Sequence, residues 1–360
     1  MAWVAPTYSR SEVDRAGRTF VDPAASAEQR ELALVVLNNW RSCHTFPLNT
    51  LQMNLRKQTT YRDGDPTVAQ RIKRLPSIRH KLERMPSMKL SRMQDIGGCR
   101  AVVSTVPVLN GLVEYYAEAS RIKHKLIRND QYVLEPKPSG YRGVHLVYRY
   151  YSDRKPTWNG LNIEIQLRSR LQHAWATAVE TVGLFTQQAL KSSWGDEAWL
   201  RFFALMSSII AQWEGTPPVP GTPSDPAELV RELRDYVTRL DVITRLNAYG
   251  AVVSSISGAA KGHTFLLELD IQRQSVSARV YQDRAVAAEE YSAVERAVEN
   301  QPGKDVVLVT VESVESLRRA YPNYFLDTRA FVESVERAIR PPSTRRAPRP
   351  SRRLSQPRAS

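Results

Sequence analysis

The chain has 360 residues, 42% hydrophobic and 24% charged, enough apolar material for a folded core and too much for a disordered polypeptide. Its formal net charge of +14 points to anionic partners, whether nucleotides, nucleic acid or an acidic membrane surface, without choosing among them. No run approaches the ~20 apolar residues that span a bilayer, Met1 to Thr19 carries Arg10, Asp14 and Arg15 where a secretory signal needs an apolar core, and Cys43 and Cys99 are too few for a disulfide framework or a metal cluster. These features predict a cytoplasmic protein with no membrane segment and two small buried thiols.

In chain order, residues 1–25 read as an N-terminal extension. Leu32, Leu34, Val35, Val36 and Leu37 predict a helix from Ser26 to Trp40, and Leu48, Leu51, Met53 and Leu55 predict a second. Thr67 to Met85 reads as a basic helical segment interrupted by Pro76, followed by Asp95, Gly97, Gly98 and a buried strand that Arg100 enters. A helix (Pro107 to Glu118), three strands (Lys123 to Arg128, Gly143 to Tyr151, Asn162 to Arg168) and two long helices (Leu171 to Leu190, Trp199 to Trp213) follow. That order predicts an α/β or α+β domain over residues 26–214 with a mixed sheet flanked by helices. The Pro- and Gly-rich stretch 215–226 reads as a linker. Residues 227–340 then predict a second, smaller α+β unit: a helix from Ala227 to Leu246, a hairpin (His263 to Asp270, Ser275 to Gln282), a strand (Asp305 to Val311) and helices around Tyr291 to Glu299 and Arg329 to Ile339. Residues 341–360 mix arginine with Pro and Ser and read as a disordered basic tail.

Four blocks concentrate charge, glycine and aromatic residues. In Arg71 to Lys81 the residues Lys73, Ser77 and Lys81 recur every fourth position, so on a helix they share a face and can meet a polyphosphate together; a solvated basic helix is the competing reading. Asp95 before a strand suits either a magnesium ligand or a turn cap. Tyr132 to His145 is a glycine-containing loop in which Lys137, Tyr141, Arg142 and His145 project from a turn; glycine lets the backbone approach a ligand and an aromatic ring can stack on a base, while a half-buried Tyr141 and a core His145 remain the structural alternative. Strand alternation puts Glu164, Gln166 and Arg168 on one face and Ile163, Ile165 and Leu167 on the other, so the polar three either meet solvent or line a site.

Together the blocks resemble the RelA/SpoT-like (p)ppGpp synthetase domain in its small, hydrolase-free form, over about residues 30 to 215. The resemblance implies a nucleotidyltransferase-like fold and transfer of pyrophosphate from ATP to the ribose 3′-hydroxyl of GDP or GTP. It implies Mg2+ on Asp95 and Glu164, with Glu164 also the base, and adenine between Arg71 and Arg100. ATP phosphates would lie on Lys73, Ser77 and Lys81, guanine on Tyr141, and the acceptor or the transferred group on Lys137, His145, Gln166 and Arg168. It departs at Val179, where small synthetases usually carry Glu four residues after the Trp matching Trp175; Glu180 stands one step on. A relative that pyrophosphorylates the 3′ end of tRNA and a non-catalytic nucleotide- or RNA-binding protein are the alternatives. Only His44 and His80 precede Asp95, so no hydrolase half is expected. The C-terminal unit is a candidate regulator or contact for a homo-oligomer or partner, and a chain ending near Pro218 is expected to be more active.

Overall fold

In a computed structural model of the protein, the described residues are 3–118, 122–186, 197–251, 264–270, 275–298, 301, 304–310 and 328–340. The basic tail expected at 341–360 and residues 187–190 of the expected Leu171 to Leu190 helix lie outside them.

Two helices with full N-terminal capping boxes open the fold. In α1 (Arg10–Val21) Ser9 and Glu12 exchange hydrogen bonds, and in α2 (Ala27–Cys43) Ser26 and Gln29 do the same, each satisfying backbone N–H groups that lack helical acceptors. The helix α1 thus lies inside what reads as an extension, and Val13, Ala16 and Phe20 pack it against Leu37 and Trp40 of α2. A third helix, α3 (Thr45–Arg62), follows directly.

The segment from Thr67 to Met85 differs from the single interrupted helix expected. Its first part is a strand, β1 (Thr67–Ile72), and the helix α4 begins only at Leu75 and runs to Arg84. Pro76 sits in the first turn of α4, where a missing N–H costs nothing and the fixed φ favours initiation. Proline starts the helix here instead of interrupting one.

The next strands are β2 (Gly97–Val103), β3 (Lys125–Gln131), β4 (Val144–Arg149) and β5 (Asn162–Ser169), with α5 (Val106–Val113) between β2 and β3. The helices α6 (Arg170–Thr186) and α7 (Glu197–Glu214) come next. The strands β2 and β5 run parallel, and β1–β2, β4–β5 and β3–β4 are antiparallel, giving the mixed sheet flanked by helices that the sequence predicts. One face is apolar: Ile163, Ile165 and Leu167 meet Leu48, Leu51 and Leu55 of α3 and Leu109 and Leu112 of α5. Each buried aliphatic side chain stabilises the fold by about 1.5–3 kcal/mol, so the alternation of β5 commits Glu164 and Gln166 to the opposite face.

Residues 227–340 supply α8 (Pro226–Arg239), α9 (Val242–Ala251), β6 (Thr264–Asp270), β7 (Ser275–Tyr281), α10 (Arg284–Val298), β8 (Lys304–Thr310) and α11 (Arg329–Ile339). The expected Ala227 to Leu246 helix is two, broken at Asp241, whose φ is 48°. The expected hairpin forms as β6 and β7, and β8 pairs with β6 on one side and with β1 on the other, through Gln70 with Thr310 and Arg71 with Val309. One sheet therefore runs β3-β4-β5-β2-β1-β8-β6-β7.

Leu229, Leu233 and Val237 of α8 and Phe331 and Val335 of α11 fill the same core as Trp175 of α6 and Phe202 and Phe203 of α7. Residues 215–226 are pinned to this core, with Val219 donating its N–H to Ser208 Oγ. Cutting the chain near Pro218 removes at least these five large apolar side chains from one core. At about 1.5–3 kcal/mol each that is on the order of the whole stability of a domain. The truncated chain is expected to lose cooperative thermal unfolding by circular dichroism; a sharp transition near that of the full chain contradicts this.

Among the described residues no helix is long and apolar enough to cross a membrane. Cys43 and Cys99 are both buried free thiols, as expected.

Candidate active site

The polar face of the sheet carries a cleft lined by Arg71 on β1, Lys73 in the β1–α4 link, Asp95, Arg100 on β2, and Glu164 and Gln166 on β5. Strand register explains the grouping. Antiparallel pairing sets Arg71 opposite Gly98 and Ala69 opposite Arg100, and parallel pairing sets Gly98 beside Glu164 and Arg100 beside Gln166. Each arginine faces a residue with little or no side chain.

Asp95 bridges two cations: Lys73 Nζ lies 2.7 Å from Oδ2 and Lys81 Nζ 3.0 Å from Oδ1. Burial alone would raise its pKa, but the two ammonium groups outweigh burial and hold the carboxyl well below the usual range. The pKa of Lys73 is lowered as well: burial, with the neighbouring cations Lys81 and Arg71, outweighs the pull of Asp95. The helix-face argument for Lys73, Ser77 and Lys81 is thus only partly right. Ser77 and Lys81 lie on α4, whereas Lys73 precedes it and reaches the same carboxylate from the link, its own N–H donated to Ile96 O at 2.8 Å.

Glu164 has a different setting. His145 Nδ1 is 2.9 Å from Oε1, and Gln166 Nε2 donates to Oε2 at 2.6 Å. His145 Nε2 lies 2.5 Å from the Tyr141 hydroxyl, which accepts a bond from Arg168 Nη2 at 2.8 Å. Burial disfavours a charged imidazole, but the Tyr141 oxygen and the Glu164 carboxylate together raise the pKa of His145 to about 9. The raised pKa favours the imidazolium form at neutral pH, with an oxygen facing each ring nitrogen. Burial would raise the pKa of Glu164, and Asp95 adds to that, yet the bonds from His145 and Gln166 hold it below the ordinary value. Each carboxylate oxygen keeps a lone pair for an incoming group.

This arrangement gives stability a defined pH dependence. The folded-state pKa of His145 lies above its ordinary 6.5, so its contribution is complete below about pH 6.5 and is lost as pH rises through about 9. The loss is on the order of 3 kcal/mol. Urea midpoints measured from pH 6 to 9.5 should fall for the native protein and flatten for His145→Gln; parallel curves contradict the assignment.

The Tyr132 to His145 loop is held from behind. Arg142, which reads from sequence as projecting from the turn, is buried instead and donates to Ser207 Oγ at 2.9 Å, Val133 O at 3.2 Å and Pro217 O at 2.6 Å. Gly140 has φ 89°, and a Cβ there would come within 3.0 Å of Phe203 O, Ser207 Cβ and Trp175 Cζ2. Only glycine suits that close approach. The adjacent Tyr141 is 7% exposed and packs in the core with Trp175 and Phe203, with the Arg168 guanidinium 5.2 Å from its ring. Half-buried Tyr132 is an aromatic ring that sequence reasoning passed over. The exposed Lys137 ammonium sits 4.2 Å from its centroid and 5.3 Å from that of Tyr141.

The expected residues therefore fall into four places. Arg71, Lys73, Asp95, Arg100, Glu164 and Gln166 line the cleft, with Lys81 joined through Asp95 and His145 through Glu164. Tyr141 and Arg168 stand behind His145, and Lys137 lies outside over two aromatic rings. Ser77 is half-buried in the first turn of α4. Val179, at the departure from the small-synthetase pattern, is in the core. Among the described residues no three His, Cys, Asp or Glu side chains are grouped to hold a metal ion. Two carboxylates on one cleft suit Mg2+, which takes one or two carboxylates and completes its shell with water and phosphate oxygens.

Residues 70–185 match the family described as "Region found in RelA / SpoT proteins". GTP pyrophosphokinase YjbM of Bacillus subtilis (strain 168) is 31% identical over 112 residues, 31% of this chain and 52% of that protein, so the chain spans about half the length of this curated relative. Among solved structures, small alarmone synthetase 1 from Bacillus subtilis bound to its product pppGpp is 24% identical over 47% of this chain and 88% of that chain, with a TM-score of 0.40. A GTP pyrophosphokinase family protein from Streptococcus pneumoniae is 24% identical over 55% of this chain and 92% of that chain, with a TM-score of 0.38.

Proposed function

We propose that this chain, whose residues 70–185 carry the region found in RelA/SpoT proteins, is a cytoplasmic pyrophosphokinase that transfers the terminal pyrophosphate of ATP to the ribose 3′-hydroxyl of GDP or GTP. The observation that carries the reading is the pairing, on one cleft, of an ionised Glu164 with an Asp95 held between Lys73 and Lys81, beside two arginines that each face a small residue.

Each part answers a demand of the reaction. The adenine packs between Arg71 and Arg100. The phosphates draw Lys73 and Lys81 from Asp95, exchanging a carboxylate for a more highly charged polyphosphate and freeing Asp95 as a ligand. Asp95 and Glu164 would hold Mg2+, which would supply neutralisation of phosphate charge. The acceptor lies on the Tyr132, Lys137 and Tyr141 side, where an aromatic face and an ammonium group suit a base and a phosphate. The 3′-oxygen forms a bond to Pβ as the Pα–O–Pβ bridge breaks; AMP leaves with the bridging electrons and the hydroxyl proton passes to a carboxylate oxygen of Glu164. Gln166 and the His145 imidazolium hold that carboxylate in place. Because its pKa is held low, Glu164 is ionised and ready at neutral pH, and alignment of the hydroxyl contributes more than base strength.

The test is an acceptor panel. Full-length protein is incubated with γ-labelled ATP and Mg2+ and, in parallel, GDP, GTP or deacylated tRNA. Label on GDP or GTP is expected. Label on tRNA alone moves the function to tRNA modification, and label on none of them with ATP still bound makes the chain a nucleotide-binding protein.

A further inference from the structure

The ATP half of the cleft is held in part by a group contributed more than 200 residues further along the chain. The helix α4 has neither a side-chain cap at Arg74 nor an acidic residue in its first turn, so its amino end lacks the usual compensation for exposed N–H groups and dipole. Glu295 of α10 supplies both. Its Oε1 accepts the Leu75 N–H at 2.6 Å, and the side chain is 1% exposed.

Glu295 is itself fixed. Arg41 Nη1 lies 3.0 Å from Oε2 and the Tyr291 hydroxyl donates to Oε1 at 2.7 Å. Arg41, 4% exposed, also donates from Nε to the carbonyl of Lys73 at 3.0 Å and from Nη1 to Asn38 at 2.9 Å. One buried cluster from α2 and α10 thus grips consecutive points of the β1–α4 link: the Lys73 carbonyl and the Leu75 amide. The same link carries Lys73 to Asp95 and starts the helix that bears Ser77 and Lys81. A few residues upstream, β8 pairs with β1 at Arg71. Arg71 and the Leu75 amide are therefore tied to residues beyond 290 directly, and the Lys73 carbonyl through Arg41.

We propose that Glu295, with Arg41 and Tyr291, is a positioning group for ATP, so that the C-terminal unit completes the nucleotide site instead of inhibiting it. This rests on the reading of Arg71, Lys73, Ser77 and Lys81 as ATP ligands. A buried ion pair that served folding alone would leave the affinity of the folded fraction unchanged. A positioning group changes ATP affinity while leaving the acceptor side, in the Tyr132 to Tyr141 loop before β4, as it was.

The test uses full-length protein with Glu295→Asp, which keeps the charge beside Arg41 but withdraws it from Leu75, and Tyr291→Phe, which keeps the ring and removes one donor to the carboxylate. Calorimetry with α,β-methylene ATP and Mg2+ is expected to show a dissociation constant raised about 5–10-fold for Glu295→Asp and about 2–3-fold for Tyr291→Phe. The KM for the acceptor should change by less than about 2-fold. Should Glu295→Asp fail to fold, Tyr291→Phe carries the test. Wild-type affinity in a folded variant, with activity falling only in proportion to folded protein, overturns the proposal alone. A wild-type chain that does not bind the ATP analogue overturns the reading of the site, and the proposal with it.

Discussion

Glu164→Gln is expected to bind ATP with little change and to lose at least about 10³-fold in turnover, within the range for removal of a general base together with its orienting role. The substitution is nearly isosteric but reverses a hydrogen-bond polarity. Glu164 accepts from Gln166 at Oε2 and faces the His145 ring at Oε1; an amide at this position turns a donor towards one of those donors. It also removes one of the two partners that raise the His145 pKa, so that pKa should fall below about 9. Two readouts check this: single-turnover kinetics at saturating ATP, and an NMR titration of the His145 ring. Near wild-type turnover contradicts the base assignment, whatever the titration shows.

Asp95→Asn is expected to cost at least about 10²-fold in activity, comparable with removal of one preorganised electrostatic group from an active site. It differs from Glu164→Gln in weakening the fold as well. The carboxylate lies between Lys73 and Lys81, and an amide leaves two ammonium groups converging on one neutral oxygen. Charged hydrogen bonds contribute about 1.5–3 kcal/mol, and partial exposure of all three side chains places the expected loss at the lower end. The linkage has a sign: the Asp95 pKa is depressed when folded, so its contribution is present above the ordinary value of 3.8 and disappears as pH falls through the lower folded value. The native protein should lose stability on acidification below about pH 4 more steeply than Asp95→Asn. Urea midpoints from pH 2.5 to 7 measure the difference, and equal slopes contradict the role given to the two lysines.

Parts of this site could be read from residues alone because their cause is local. The β5 alternation is a period-2 pattern, and the apolar set finds α3 and α5 whatever the rest of the chain does. Asp95, Glu164 and the basic segment likewise stand out by type and order. Lys73 did not read correctly, because every-fourth spacing suits a helix and nothing within Thr67 to Ile72 announces that β2 will pair with it. The first-turn position of Pro76 was the available signal. Tyr141 illustrates a different gap. Its ring is buried against Trp175 and Phe203, residues 34 and 62 positions away, and burial set by long-range packing leaves no local trace. The contact of Glu295 with Leu75 spans 220 positions, and no pattern of spacing predicts it. For the same reason a unit that reads as separable from sequence shares a sheet and a core with the cleft-bearing helices.

The stoichiometry and position of the phosphates transferred test the central claim most directly. With ATP labelled at both its β- and γ-phosphates, Mg2+ and GDP, 31P NMR of the products should show one AMP per modified GDP, with both labelled phosphates of one ATP in the pyrophosphate on the 3′-oxygen. Release of ADP with a single phosphate on the acceptor, or of free pyrophosphate with GDP unchanged, would contradict pyrophosphate transfer by this site.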